Sequence, residues 1–129
     1  MNGRLRLALT AITLVGAMLA TAAMAADSDR WEIAVKKNAT SDGSVVFRFH
    51  PRGAYPFDIT VHITAGTKEN DIAARIHDVL QAELPKDAYE LRVSGGEKVK
   101  IEAGKGVGDF NLVIVQSGVS GVEFKVKED

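Results

Sequence analysis

Three histidines are the side chains of this 129-residue chain best suited to metal or proton chemistry near neutral pH. His50 and His62 occupy polar positions in two alternating runs, 45–50 and 57–64, while His77 falls in a segment of helical spacing. If the two runs form a hairpin with their apolar faces aligned, His50 lies opposite Asp58 or Pro56. His62 is then at least four strand residues further along, about 13 Å at about 3.3 Å per residue. Zinc ligands sit about 2 Å from their metal, so such a pair does not share an ion. His77 belongs to a helix covering the other face. The expectation is three separate surface histidines, with no metal and no cofactor.

Other chemistries find equally little support. The chain has no cysteine, which removes thiolate ligands, disulfides and cysteine nucleophiles together. No G-x-S-x-G turn is present, and Ser94 and Ser117, each followed by glycine, read as turn serines. Asp58, Glu90, Glu102 and Glu123 alternate with Arg48, Arg92, Lys98, Lys100 and Lys125 at outward positions. That pattern makes solvated cross-strand pairs, not the cleft with one desolvated acid that a glycosidase uses. The loop Gly104-Lys105-Gly106-Val107-Gly108 looks like a phosphate cradle, but an apolar strand follows it where a phosphate loop leads into a helix. Asn38-Ala39-Thr40 is a glycosylation sequon in a surface loop, relevant only in a host that glycosylates.

One segment has the character of a binding site. His50 precedes Pro51-Arg52-Gly53-Ala54-Tyr55-Pro56, where two prolines stiffen the ends and Gly53 permits a tight turn. Seven of the eight aromatic residues fall at inward strand positions; Tyr55 does not. Arg52 supplies a planar cation close by, and tyrosine and arginine are enriched where binding energy concentrates. His50, Arg52 and Tyr55 are therefore the candidate binding residues. The competing expectation is that Tyr55 caps the edge of the core. A single aromatic outside the core makes a poor stacking platform for single-stranded nucleic acid.

The elements that would carry this segment follow from hydrophobic period. Alternation marks seven strands: around 31–36, 45–50, 57–64, 89–94, 97–102, 110–115 and 122–127. One wet face per strand is the pattern of antiparallel sheet covering a core on one side. Leu112-Val113-Ile114-Val115 breaks it by being apolar on both faces, which predicts a central strand or one covered twice. From Lys68 to Leu84, apolar residues recur at helical spacing through Ile72, Ala73, Ile76, Val79 and Leu80. Thr67 is the expected N-cap, and Pro85 stops the helix. The predicted fold is α+β: a two-layer sandwich in the order βββαββββ, an antiparallel sheet of about seven strands with one helix, about 68–84, on its apolar face.

Residues 1–25 stand apart. Arg4 and Arg6 precede an apolar run from Leu7 to Leu19, followed by small residues ending Ala23-Met24-Ala25. This is the pattern of a secretory signal peptide cut before Ala26, leaving a single domain over 26–129. The remaining 104 residues carry 14 basic and 17 acidic groups, a net charge of -3, so no basic footprint for nucleic acid is present. The expected protein is exported to the periplasm or beyond, and does not engage a membrane once the leader is removed. Its expected function is that of a small non-catalytic binding or structural module with a protein or small-ligand partner. The alternatives are an exported enzyme with its site at the 50–56 loop, and an inhibitor or assembly subunit acting through a strand edge.

Overall fold

A computed structural model describes residues 27–129 of the chain. The expected leader, residues 1–25, and its expected cut before Ala26 lie outside the described residues. Strands β1 (Arg30–Lys36), β2 (Gly43–Pro51) and β3 (Phe57–Ile63) precede helix α1 (Glu69–Glu83). Strands β4 (Tyr89–Ser94), β5 (Lys98–Ala103), β6 (Phe110–Ser117) and β7 (Glu123–Glu128) follow it. This is the α+β order βββαββββ that the periodicities predict. The seven strands divide between two antiparallel sheets, one ordered β4-β5-β1-β7 and the other β3-β2-β6. Helix α1 packs on β1, β4 and β5 of the first sheet and on β3 of the second.

The core lies between these layers. Odd-numbered residues of β1, β2 and β3 point into it, including Ile33, Val35, Val45, Phe47, Phe49 and Val61, all fully buried. The helix contributes Ile72, Ala73, Ile76 and Leu80, a stripe at three- and four-residue spacing. Among the described residues no helix is long and apolar enough to cross a membrane.

Two local expectations change. Thr67 is not the helix cap: its hydroxyl donates to the Thr64 carbonyl at 2.7 Å, and Lys68 holds the cap position without a side-chain bond. The Glu69 amide instead donates to the Asn38 side-chain oxygen at 3.1 Å, and the Glu69 carboxylate accepts the Lys37 amide at 2.9 Å. The capping group thus arrives from the β1–β2 loop, in three dimensions beside the helix but 31 residues away in sequence.

The second change concerns β6. Its two apolar faces predict a central strand or one covered twice, yet it is an edge of the smaller sheet, laddered to β2. The register supplies the reason. Phe47 faces Ile114 while Val46 faces Gln116, so Val115 is the extra residue of a bulge. Phe110, Leu112 and Ile114 keep strict inward alternation, and Val115 falls outside it, 41% exposed.

Candidate functional site

The β2–β3 hairpin carries the segment singled out from sequence, and its base is anchored in the core. Phe49, near the end of β2, stacks on Phe57, the first residue of β3, with ring centroids 5.5 Å apart and planes 7° from parallel. Phe110 stacks on Phe49 at 6.0 Å, and Tyr89 meets both edge-on at 5.8 and 5.1 Å. Trp31 closes the cluster, its indole N–H donating to the Phe110 carbonyl at 2.9 Å. Burial pushes the Tyr89 phenol above its ordinary value. Aromatic packing of this kind fixes both ends of the loop that leaves it.

Beyond this base the chain turns tightly. The Ala54 amide donates to the Pro51 carbonyl at 3.1 Å, and Gly53 takes a φ of 79° inside that turn, which favours glycine. The Arg52 amide donates to the Asp109 carbonyl at 3.0 Å, tying the tip to the start of β6. The Arg52 guanidinium then reaches two carboxylates, Asp27 at 3.4 Å and Asp109 at 3.3 Å. Tyr55 is 93% exposed. At that exposure the ring does not cap the core, which removes the competing expectation, and Arg52 does not cover it.

His50 is exposed on the outer face of β2, opposite Asn111 of β6. His62 faces Ser44 at the other end of the same sheet. The β2–β3 register continues to place His50 against Pro56, six residues from His62 and so about 20 Å away. His77 is on α1, beside Asp78 at 3.1 Å. Among the described residues, no three histidine, aspartate or glutamate side chains gather as metal ligands do. The structure therefore brings His50, Arg52 and Tyr55 to one end of the smaller sheet without convergence on a common point.

Surface depressions lie elsewhere. One of about 60 Å³ on the larger sheet is lined largely by Arg30, Glu90, Arg92, Lys100 and Glu102. A groove of about 390 Å³ passes the C-terminal end of α1, along Leu84, Pro85, Tyr89 and Leu91. Neither includes the 50–56 segment.

Sequence reasoning missed two features. Asp27 and Asp109 fix Arg52, a role visible only once β6 is known to lie beside β2. Glu32, an outward residue of β1, is only 4% exposed. It is covered because β1 runs between β5 and β7, whose Lys100 and Lys127 arch over it with ammonium groups 3.7 Å from its carboxylate. Its Oε2 has no hydrogen-bond partner. The Arg48–Asp58 pair on the smaller sheet matches the expected cross-strand pairing, with bonds of 2.7 and 3.1 Å. Those bonds hold the Asp58 carboxyl below its ordinary value and raise Arg48. No protein-family model matches this chain, and no curated protein is significantly similar to it.

Proposed function

We propose that this chain is an exported, non-catalytic binding module that engages a protein partner through the 51–56 tip of its β2–β3 hairpin. The observation that carries the reading is Tyr55, a large aromatic 93% exposed at the end of a hairpin whose base is stacked into the core. An aromatic presented on a pre-ordered turn loses little conformational freedom on binding, and such residues concentrate binding energy at interfaces. The Arg52 contacts to Asp27 and Asp109 hold the turn in place. Protein is the favoured partner because one unaccompanied ring makes no stacking platform and, among the described residues, none of the best-formed depressions includes the tip. The same openness argues against an enzyme centred here, since proton-transfer groups are tuned by desolvation. Export rests on the leader pattern of residues 1–25.

The test places a photo-reactive benzophenone amino acid at Tyr55, and separately at Thr60 on the outer face of β3. Both are expressed from the full coding sequence, and the exported fraction is irradiated. The expected result is a chain beginning at Ala26 that cross-links one discrete partner from position 55 and not from position 60. Equal labelling from both positions, or a native protein whose intact mass still includes residues 1–25, contradicts the reading.

A further inference from the structure

We infer that the free edge of β4 pairs antiparallel with β4 of a second copy of this chain, joining two four-stranded sheets into one of eight strands. Backbone geometry defines that edge. The Gly104 amide donates to the Ala88 carbonyl at 2.7 Å, which makes Tyr89 and Ala103 a non-hydrogen-bonded pair of the β4–β5 ladder. Alternation then turns the N–H and C=O of Tyr89, Leu91 and Val93 away from β5. Among the described residues, no backbone bond outside the ladder reaches any of them. Helix α1 packs on β1, β5 and β4 alike, so it is centred inward of this edge. The other edges are occupied or guarded. Ser28 bridges Phe110 on β6, the Arg75 guanidinium donates to the His62 carbonyl on β3, and β7 carries Glu123, Lys125, Lys127 and Glu128.

Charge selects the occupant. On the outer face Glu90 lies directly opposite Glu102 of β5, and Arg92 directly opposite Lys100. Like charges facing each other across strands are unfavourable. Glu102 and Lys100 are compensated from their other side, by Arg30 at 3.4 Å and Asp129 at 3.1 Å. Among the described residues, Glu90 and Arg92 form no ion pair. An antiparallel strand that neutralises both must carry an acid opposite Arg92 and, two residues later, a base opposite Glu90. Read from its own N-terminus that strand is acid-x-base, which is the Glu90-Leu91-Arg92 of β4 itself.

The register follows from the same residues. A two-fold axis at Leu91 sets Glu90 against Arg92 of the second copy, and Arg92 against its Glu90. These are non-hydrogen-bonded pairs, the arrangement with the shorter Cα separation, about 4.5 Å, and the closer side chains. Tyr89 then meets Val93 of the second copy and Leu91 meets its own symmetry mate, using all the outward backbone groups of the three residues. Apolar surface agrees with this register. Val93 shares the inward face of Tyr89 and Leu91, yet it is 41% exposed. In the pair it stands opposite Tyr89 of the second copy, beside the groove lined there by Leu80, Leu84, Pro85, Tyr89 and Leu91. Each copy thus supplies a valine to the groove of the other.

The test exchanges charges at the two outward positions, in protein expressed from the full coding sequence. Sedimentation over a range of concentrations should show a doubling of the unmodified protein's mass that reverses on dilution. Arg92→Glu and Glu90→Arg each set like charges in both cross-copy pairs, so each variant alone should be monomeric. Mixing the two variants should restore the dimer, as should both substitutions combined in one chain. Each substitution lies on the outer face and removes a like-charge contact with β5, so circular dichroism should show the native sheet in every variant. If one single variant does not fold, the other decides. An unmodified protein monomeric at every concentration, as expected if the edge takes another protein's strand, overturns the inference. So does a dimer that survives either single substitution, or a mixture of the two folded variants that stays monomeric.

Discussion

Glu32 and Asp58 are both carboxylates at outward strand positions, and their surroundings give them opposite energetic roles. Asp58 remains well exposed and accepts two short bonds from Arg48. Its carboxyl is held below the ordinary value of 3.8, chiefly by the side-chain bond from Arg48. The stabilisation from this shift is fully present above the unfolded value and is lost as pH falls through the folded one. NMR titration should find Asp58 below 3.8 in the native protein and back near that value in Arg48→Met. An unchanged titration would show that the bidentate pair does not persist in solution. Glu32 is the costlier group, buried with one oxygen unsatisfied and both ammonium groups beyond hydrogen-bond length. Replacing a buried charge of this kind by an apolar side chain is often neutral or stabilising by about 1–4 kcal/mol. Neither lysine is stranded by the change, because Lys100 keeps Asp129 at 3.1 Å and Lys127 is mostly exposed. Denaturant melts should therefore show Glu32→Ile at or above native stability. Lys100→Met, which removes the more buried of the two covering lysines from Glu32, should cost about 3 kcal/mol. The reverse order would mean that the carboxylate is well paired.

At the scale of elements, the helix gives the sharpest contrast between neighbours. Ile76 is fully buried between α1 and the sheets, whereas His77 is turned about 100° towards the rim and partly exposed. Ile76→Ala should cost about 2–5 kcal/mol through the cavity it leaves, and His77→Ala about 0.5 kcal/mol or less. Equal costs in denaturant melts would contradict the packing of α1. This stripe was legible in the sequence because helical spacing is a local property, and so were the strand alternations and the stop at Pro85. The helix cap was not, since Asn38 reaches Glu69 only after β2 and β3 have folded back on β1. The place of β6 was misread for a related reason. A bulge depends on the partner strand, so Val115 shows in sequence as one more apolar residue and only in the ladder as an extra one.

At the scale of the whole molecule, the β2–β3 hairpin carries Tyr55, 93% exposed, on a base packed into the core. The Pro-Arg-Gly-Ala-Tyr-Pro segment was legible as a turn with one aromatic outside the inward pattern. Its anchoring was not, because Phe49, Phe57, Tyr89 and Phe110 come from four strands, and Asp27 and Asp109 lie 25 and 57 residues from Arg52. The aromatic cluster supplies a fixed base, and the proposed binding through Tyr55 depends on it. The most direct measurement is the affinity of the partner captured by cross-linking, compared between the unmodified protein and Tyr55→Ala. The substitution removes a side chain that touches almost nothing in the folded chain, so stability should not change. A hot-spot residue loses at least about 2 kcal/mol on truncation, which predicts affinity weakened about 30-fold or more. Affinity within about twofold of the unmodified protein, a difference of only about 0.4 kcal/mol, would contradict the account and move the binding surface away from the hairpin tip.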